Sequence, residues 1–578
     1  MNILGISCFY HDAAACLLSD GQIVAAASEE AFTRKKHDPD LPVNAMRYCL
    51  DQAGIGIQDV KAIVYYDKPF KKLDRALRCH IEHFPKGLGL FARKMPSWFS
   101  TQVRLPKVLE REMGYKGSVL YSEHHLSHAA SAFYCSGWEE AALLTVDGVG
   151  EWASSSYGVG EGTQIRLLGE TRFPHSLGLL YSAMTRYLGF KVNSAEYKVM
   201  GLAPYGEPRF VDKLRQLIDV REDGSFRLDM RYFEFDAGER MYNQRFEELL
   251  GHPTFPLEGD SLTDFQKDMA RSLQVVVDDT MVKLATTVVQ RTGKKKLCLA
   301  GGVALNCVAN GEILRRAPVE DIFVQPSAGD AGGAMGAALV VWNGLLKKPR
   351  LPQLPSVYLG PGYDDAAVQQ VLDEAKAVYQ KLDREALLQR CATLLTEGKV
   401  VGWFQGRMEW GPRALGHRSI LGDPRHPEMR DIINSKIKMR EGFRPFAPSV
   451  LEEDVSTWFQ LDRPSPYMLL VAPVQPGQPP LPAITHVDGS ARIQSISRQQ
   501  DPLYYDLISA FKAQTGVGVI INTSMNVRGE PMVCSPQDAW LCFMRTGMDV
   551  LVAGSFLLMK EDQPALKLKS AAEEFGLD

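Results

Sequence analysis

The sequence predicts an α/β protein of two domains, the first of them built from two related lobes. Three observations predict it: strand patterns alternate with helical patterns, a long amphipathic helix separates two strand-rich regions, and one proline- and glycine-rich segment interrupts the chain. The 578 residues exceed what one hydrophobic core supports. The composition, 45% hydrophobic and 23% charged, is that of an ordinary globular protein.

The chain opens with three short apolar runs, at residues 3–9, 16–18 and 23–27. Asp20-Gly21 separates the last two runs, and Asp-Gly between apolar runs is a hairpin signal. The pattern therefore predicts an antiparallel meander at the N-terminus.

Two further buried strands are predicted on either side of a long helix. They cover 141–146 and 297–300, and the helix covers 263–290, with a capping box expected at its start. We expect two related lobes with a cleft between them, the second beginning near residue 260.

The segment 347–362 concentrates proline and glycine after a helix of small residues, so it is the predicted linker. It divides the chain into domains at 1–350 and 356–578. The second domain is expected to be α/β as well, with strands at 400–404 and 518–521 and a proline-rich loop at 475–482.

Bulk properties exclude several classes of function. A formal charge of -4 and a pI near 6.3 disfavour a dedicated nucleic-acid binder. The 10 cysteines form no CxxC pair, so neither a zinc ribbon nor a disulfide framework is predicted. No signal peptide and no membrane-spanning stretch is evident in the sequence. We expect a cytoplasmic enzyme with small-molecule substrates.

Two histidines and two aspartates are candidate metal ligands. His124 and His128 are four residues apart, which places both imidazoles on one face of a predicted helix. Asp147 follows a strand, and Asp330 lies in a turn that leads into a helix. A locally bonded histidine pair is the commoner explanation of HxxxH alone, and each aspartate alone is usually a cap or turn residue. Together they suit Fe(II), Mn(II) or Zn(II).

Two other motifs indicate nucleotide or phosphate binding. Gly301 and Gly302 stand between a strand and a helix start, where the backbone can approach a nucleotide, although a lone glycine pair is weak evidence. The region 406–526 interleaves cations with Gly and Pro, which favours a phosphate pocket over a salt-bridged surface. The polar side chains expected there are Arg413, Arg418, Lys438, Arg444, Arg492, Ser524 and Asn526.

Several dispersed motifs together resemble the NodU/CmcH family of O-carbamoyltransferases over essentially the whole chain. They are GISCFYHDAAA (5–15), EEAFTRKKH (29–37), HHLSHA (124–129), EYKVMGLAPYG (196–206), GGVALN (301–306), GPRALGHRS (411–419), THVDGSAR (485–492) and NTSMN (522–526).

The resemblance implies an actin/sugar-kinase-like two-lobed N-terminal domain and a YrdC-like C-terminal α/β domain. It implies that the C-terminal domain makes carbamoyl adenylate from carbamoyl phosphate and ATP, releasing pyrophosphate and phosphate. The N-terminal domain would then transfer the carbamoyl group to a hydroxyl of a small-molecule acceptor, such as a natural product or sugar. Implied cofactors are Fe(II) or another divalent metal, with Mg²⁺ accompanying ATP. No nucleic acid or membrane partner is implied, and a homodimer is compatible.

The resemblance also implies roles for single residues. His124, His128, Asp147 and Asp330 match metal ligands. His11 matches a general base and Lys36 a group that stabilises developing negative charge. The nucleotide cleft would be lined by Glu196, Lys198, Gly301, Gly302 and Asn306. The site for carbamoyl phosphate and ATP would hold Lys438, Arg444, Arg492 and Ser524, with Arg413, Arg418 and Asn526 as further candidates.

Two other functions are compatible with parts of this pattern. An ATP-dependent small-molecule kinase of the actin-like superfamily would explain the glycine pair but not residues 400–530. A nucleotide-binding regulator or tRNA-modifying subunit is the third class.

The chain lacks the acylphosphatase-like start and the CxxC motifs of HypF, which disfavours carbamoylation of a cysteine. The segment 67–107 either helps to bind the acceptor or is a helical insertion.

Overall fold

The computed structural model describes residues 1–238, 240–257, 262–351, 353–566, 568–569 and 571–575. The chain forms two compact units: the first contains Met1–Glu29 and His37–Pro355, and the second contains Glu30–Lys36 and Ser356–Asp578. Both are α/β, so the predicted fold class is confirmed. Residues 258–261, around the expected start of the second lobe, lie outside the described residues.

The first unit contains two mixed sheets and a short hairpin. Its strands are β1 Asn2–Ser7, β2 Ala14–Ser19, β3 Gln22–Ser28, β4 Val60–Tyr65, β5 Ser118–Tyr121, β6 Glu140–Val146, β7 Ala153–Glu161, β8 Gln164–Arg172, β9 Ile218–Val220, β10 Phe226–Leu228, β11 Lys296–Ala300 and β12 Asp321–Val324. The strand orders are β3-β2-β1-β4-β5 and β12-β11-β6-β7-β8, and β9 pairs with β10.

The two sheets share one topology. In each, three consecutive strands pair antiparallel, and the first of them also pairs in parallel with the fourth, which pairs in parallel with the fifth. This repeat matches the expectation of two related lobes. Their limits differ from the prediction, because the second sheet begins at Glu140 and not near residue 260. The long helix is the crossover within the second sheet and not the start of a lobe.

The helices of the first unit connect and cover these sheets. They are α2 Val43–Ala53, α3 Pro69–His83, α4 Leu88–Ser100, α5 Leu105–Met113, α6 His124–Phe133, α7 Leu177–Tyr187, α8 Glu196–Leu202, α9 Val211–Leu214, α10 Gln244–Leu250, α11 Asp264–Thr292, α12 Cys307–Arg316 and α13 Asp330–Leu339; α1, Glu30–Thr33, belongs to the second unit. The predicted capping box at the start of α11 is present between Thr263 and Gln266.

The N-terminal meander follows from its turn residues. Asp20 and Gly21 both have positive φ, 47° and 84°, as a two-residue turn between antiparallel strands requires. The strand β1 ends at Ser7, two residues earlier than predicted, because Phe9 also has a positive φ of 69° and cannot continue a strand.

Helix α13 packs against α6 and β1 at the distance of backbone contact. A Cβ atom on Gly336 would lie 1.8 Å from the carbonyl oxygen of Ser127 in α6. A Cβ atom on Gly5 in β1 would lie 1.9 Å from the carbonyl oxygen of Ala334. Glycine at both positions is therefore what allows the close approach, and it fixes where the N-terminus of α13 lies.

The second unit surrounds one large mixed sheet. Its further helices are α14 Asp365–Glu374, α15 Arg384–Thr396, α16 Met429–Ile433, α17 Val455–Trp458, α18 Pro502–Thr515, α19 Pro536–Arg545 and α20 Ala571–Phe575. Its strands are β13 Gln380–Lys381, β14 Val401–Phe404, β15 Arg418–Gly422, β16 Ala447–Leu451, β17 Leu470–Pro473, β18 Ser490–Ile496, β19 Val519–Ser524, β20 Val550–Ala553 and β21 Phe556–Met559. The order is β13-β21-β20-β14-β15-β19-β16-β18-β17. Among the described residues, no helix has the length and apolar composition to cross a membrane.

Gly336→Ala should destabilise the first unit, because the new methyl group would overlap the Ser127 carbonyl oxygen. We expect a loss of about 1–3 kcal/mol in the free energy of unfolding, the usual cost of overpacking. Gly344→Ala is the matched control, because its Cβ would lie 3.6 Å from the Tyr134 hydroxyl, an ordinary contact. Urea unfolding of the full-length variants measures both; equal stabilities would show that α13 and α6 are not in close contact.

Candidate functional site

The four candidate metal ligands are carried by elements that converge in the first unit. His124 and His128 lie one turn apart on α6, Asp147 directly follows β6, and Asp330 is the first residue of α13. All four are buried. Because β6 pairs with β11 and α13 packs on α6, the ends of these elements come together at one place.

One ligand atom from each residue lies within 4.8 Å of the other three. His124 Nε2 lies 2.8 Å from Asp147 Oδ2 and 3.6 Å from Asp330 Oδ1. His128 Nε2 lies 3.6 Å and 3.5 Å from the same two oxygens, and the two Nε2 atoms are 3.1 Å apart.

These distances suit a divalent metal ion. Imidazole and carboxylate ligands bind Zn²⁺ and similar ions at about 2.1 Å, so neighbouring ligand atoms lie about 3.0–3.4 Å apart. Two buried carboxylates close together also need positive charge to offset their desolvation and repulsion. The residues therefore fit a bound ion, and nitrogen with carboxylate oxygen as donors is compatible with several divalent metals.

The charges within this cluster shift the pKa values of its members. Burial by itself lowers the pKa of His124, but Asp330, Asp67 and Asp147 raise it well above its usual range. The pKa of His128 is also raised, because hydrogen bonds to Asp147 and Asp330 outweigh burial. Burial raises the pKa of Asp147, but the two histidines hold it well below its usual range. A metal ion would compete with protons for these atoms.

A second layer of polar groups holds the ligands. Asp67 is the second residue after β4; its Oδ1 atom lies 3.4 Å from His124 Nδ1, and its other oxygen contacts Lys72 Nζ. The Tyr66 hydroxyl donates to Asp330 Oδ2 at 3.3 Å. A carboxylate behind a ligating imidazole fixes the ring and increases its basicity.

Sequence reasoning missed Asp67, although the same signal that identified Asp147 was present. In both cases an aspartate follows an apolar strand, where open α/β sheets place functional residues. Glu151 was missed as well; its carboxylate accepts the backbone N–H of His124 at 3.0 Å and so caps α6.

His11 lies beside the cluster, at the end of a hydrogen-bonded chain. Its Nε2 is 4.0 Å from Asp330 Oδ2, and its Nδ1 is 2.9 Å from Asp12 Oδ2. The other Asp12 oxygen is 2.6 Å from His37 Nδ1. Burial lowers the pKa of His11, but the hydrogen bond to Asp12 and the charge of Asp330 raise it to about 9. Lys36 belongs to the second unit, so its predicted role beside His11 stays a prediction.

The glycine pair contacts Asp147. The backbone N–H of Gly302 donates to Asp147 Oδ1 at 2.9 Å. Gly301 has a φ of 94°, and a Cβ there would lie 2.3 Å from the Val146 carbonyl oxygen, so both features require glycine. The pair thus supports a candidate metal ligand, a contact that the sequence did not predict.

The other predicted nucleotide residues lie on α8 and before α12. Glu196 begins α8 and accepts hydrogen bonds from Ser182 Oγ and the Asn193 backbone N–H, at 3.0 Å and 2.8 Å. Lys198 is buried on the same helix. Asn306 caps α12 and exchanges hydrogen bonds with the Gln274 amide, both at 3.1 Å. Their predicted role in nucleotide binding stays a prediction.

In the second unit, three of the predicted phosphate-site residues are in direct contact. Lys438 Nζ donates to the Asn526 side-chain oxygen at 2.7 Å and to Ser524 Oγ at 3.1 Å. Burial, followed by the charges of Arg440 and Arg444, holds the pKa of Lys438 well below its usual range. Arg440 and Arg444 repel this ammonium group and Glu530 attracts it, and a region with more cations than anions suits an anionic ligand.

The remaining predicted cations differ in their surroundings. Arg418 is fully buried, stacks on Phe404 at 3.9 Å and donates through both terminal nitrogens to backbone carbonyl groups, so it supports the turn before β15. Arg413 lies in that turn. Arg444 lies 3.5 Å from Glu441, and Arg492 lies on β18. The predicted role of Arg418 in the phosphate site stays a prediction.

Comparison with known families identifies both parts of the chain. The family model described as "Carbamoyltransferase N-terminus" matches residues 2–339. The model described as "Carbamoyltransferase C-terminus" matches residues 392–560. The two matches contain all the candidate residues described above.

Individual relatives are similar over long stretches. The uncharacterized protein sll1178 of Synechocystis is 49% identical, and the match covers 100% of both chains. Nodulation protein NolNO of Sinorhizobium fredii is 40% identical over 96% of this chain and 79% of its own. The 3'-hydroxymethylcephem-O-carbamoyltransferase of Amycolatopsis lactamdurans is 37% identical over 45% of this chain and 48% of its own.

Solved structures are similar only at a low level. The match to HypF from T. kodakarensis covers 59% of this chain and 47% of the HypF chain, with 14% identity and a TM-score of 0.29. The match to the ROK hexokinase from Thermus thermophilus covers 59% of this chain and 98% of the hexokinase chain, with 18% identity and a TM-score of 0.27. These scores are too low to indicate an activity.

Asp67→Asn should weaken metal binding without removing a ligand. The amide cannot carry the negative charge that supports the His124 imidazole, and outer-shell changes of this kind cost about 10–100-fold in affinity. Competition of Mn²⁺ or Fe(II) binding against a chelator measures the dissociation constant. Asp74→Asn on α3, where Asp74 pairs with exposed Arg78, is the control and should bind as the unaltered protein does. Equal affinities in all three proteins would contradict the role of Asp67.

Proposed function

Because the chain belongs to the carbamoyltransferase family, we propose that it is an ATP- and metal-dependent enzyme that carbamoylates a hydroxyl group of a small molecule. In the first step, carbamoyl phosphate and water give carbamate and phosphate, and carbamate attacks ATP to give carbamoyl adenylate and pyrophosphate. In the second step, the acceptor hydroxyl displaces AMP from the carbonyl carbon and loses its proton. The acceptor is expected to be a natural product or a sugar.

The observation that carries the proposal is the convergence of four ligand atoms in a chain that matches both carbamoyltransferase models. The candidate metal centre lies in the N-terminal match, and the buried cation Lys438 lies in the C-terminal match. Two sites of different chemistry suit two half-reactions, one that builds an activated carbamoyl group and one that transfers it. Adenylation makes AMP the leaving group.

His11 is suited to receive the acceptor proton. Asp12 holds Nδ1, so Nε2 is the nitrogen that faces Asp330 and the cluster. With a pKa of about 9, His11 would already carry a proton at neutral pH. Base catalysis therefore requires that the negative charge of Asp330 and Asp147 be offset, because that charge contributes to the raised pKa.

Bound metal would supply Lewis-acid chemistry at the carbamoyl carbonyl or the adenylate phosphate. His124, His128, Asp147 and Asp330 would hold it, and Asp67, Tyr66 and Gly302 would orient these ligands. Fe(II) is the ion that the resemblance implies, with Mg²⁺ accompanying ATP. The kinase alternative is less well supported, because residues 392–560 match a carbamoyltransferase model that a small-molecule kinase does not require.

Several expectations stay predictions at this point. They are the identity of the acceptor, the cytoplasmic location, a homodimer, and the lack of nucleic acid or membrane partners.

Lys438→Met should abolish pyrophosphate release in the presence of carbamoyl phosphate and ATP. The variant keeps the buried alkyl chain but removes the ammonium group that would contact the anionic substrates. We expect a loss of at least about 100-fold, as for other removed electrostatic groups in buried sites. The control is Lys436→Met, which replaces an exposed lysine two residues earlier in the chain. Pyrophosphate release at the normal rate by folded Lys438→Met would contradict the assignment.

Asp330→Asn should separate the two half-reactions. We expect it to release pyrophosphate at the normal rate and to lose metal binding and product formation, because Asp330 belongs to the candidate metal centre of the first unit, whereas Lys438 belongs to the second unit. Product formation is measured as the carbamoyl mass increase of hydroxylated acceptors. Loss of both activities in folded protein would show that the division of labour between the two units is wrong.

A further inference from the structure

Seven residues of the N-terminal region belong to the second unit. The chain leaves the first unit after Glu29, and it returns to that unit at His37. Between these points, α1 occupies Glu30–Thr33, and Arg34 follows it with a positive φ of 56°. A non-glycine residue in that region of φ is uncommon and needs surrounding contacts to hold it.

Arg34 makes a dense set of contacts with residues almost 500 positions later in the chain. Its Nη1 donates to the carbonyl oxygen of Met532 at 2.7 Å. Its Nη2 donates to the Pro531 carbonyl oxygen at 2.9 Å and to Glu530 Oε1 at 3.0 Å. Its Nε lies 3.4 Å from Asp538 Oδ1. The planar guanidinium thus contacts two backbone carbonyl groups and two carboxylates at once through a rigid fork of N–H donors.

Apolar contacts hold the same segment. Ala31 is buried against Met408 and Cys534, and Phe32 and Met532 pack on this small cluster. Ala31 and Phe32 therefore anchor the segment 30–36 to the second unit, while Thr33 and Lys35 are exposed.

The contacts of Arg34 continue to the predicted phosphate site through Glu530. Glu530 is buried, and its Oε2 atom accepts the backbone N–H of Val527 at 2.9 Å. Its backbone carbonyl accepts the Asn526 side-chain N–H at 2.7 Å. The Asn526 side-chain oxygen in turn accepts from Lys438 Nζ, also at 2.7 Å. One residue, Glu530, thus joins Arg34 to the side chain that holds Lys438.

Charge makes this connection sensitive to Arg34. Burial raises the pKa of Glu530, and Arg34 is the first of the cations that oppose this effect. Without Arg34 the buried carboxylate would lose its ion pair at 3.0 Å, and breaking a buried ion pair is strongly unfavourable. The turn between Asn526 and Glu530 would then have to rearrange.

We propose that Arg34 is a positioning residue for the carbamoyl-phosphate and ATP site, and that the segment 30–36 completes that site by holding the turn at 526–532. Arg34 touches no substrate; it acts through Glu530 and Asn526 on Lys438. The inference rests on the proposed function for the activity of the site, but not for the structural effect on the turn.

Full-length Arg34→Gln, Arg34→Lys and Glu530→Gln variants, and the Arg34→Gln/Glu530→Gln double variant, test this proposal. Arg47→Gln is the control, because Arg47 is an exposed arginine of α2 in the first unit. Pyrophosphate release gives kcat and KM for carbamoyl phosphate and ATP. Hydrogen exchange of the 524–534 amides reports on the turn, and exchange of β14 checks that the second unit is folded.

Arg34→Gln should lower kcat/KM for pyrophosphate release at least about tenfold and speed exchange at 524–534, while β14 stays protected. Arg34→Lys should be intermediate, because it keeps the charge but not the fork. The double variant should be no worse than Arg34→Gln, because both changes remove one interaction. Arg47→Gln should stay within about twofold, as for a surface change away from the site.

Normal kinetics in folded Arg34→Gln would overturn the proposal, and so would unchanged exchange at 524–534. If all variants, including the unaltered protein, released no pyrophosphate, the proposed function would fail. The exchange experiment would still decide whether Arg34 holds the turn. If Arg34→Gln also lost protection in β14, the conservative Arg34→Lys variant would supply the test. Normal kinetics and normal exchange at 524–534 in Arg34→Lys would then count against a role for the guanidinium fork.

Discussion

Close contact between α13 and α6 is the constraint on which the candidate metal centre depends. At Gly336 the two helices approach until a side-chain carbon would overlap the Ser127 carbonyl oxygen. This approach sets the distance from Asp330, at the start of α13, to His124 and His128 on α6. The paired strands β6 and β11 set the position of Asp147 and Gly302 in the same way. Rigid elements therefore fix the ligands, and no mobile loop is needed to gather them.

Electrostatics decides what such an arrangement can do. Two carboxylates that are buried 2.8–3.6 Å from two imidazoles are stable only with positive charge, supplied by protons or by a metal ion. Asp67 adds a third carboxylate behind His124, and Lys72 offsets it. The second unit shows the opposite pattern, in which Arg440 and Arg444 act on buried Lys438 and Glu530 is the opposing charge. One unit is thus suited to a cation and the other to an anion.

Local patterns predicted much of this structure. The hairpin at Asp20-Gly21, the capping box at Thr263 and the placement of the four ligands at element ends follow from short-range rules. The sequence patterns predicted the start of the second lobe near residue 260, whereas the second sheet begins at Glu140. The prediction was wrong because strand pairing across a long crossover helix is not visible in a local pattern. Arg418 supports backbone carbonyl groups, although its motif indicated phosphate. The membership of residues 30–36 in the second unit depends on contacts almost 500 residues apart.

The central claim is that one divalent ion occupies the space between His124, His128, Asp147 and Asp330. Anomalous scattering from crystals of the Mn²⁺-loaded protein tests it most directly. The account predicts one strong peak about 2.0–2.2 Å from a ligand atom of each of these four residues. A peak elsewhere in the first unit, with none among these four side chains, would contradict it.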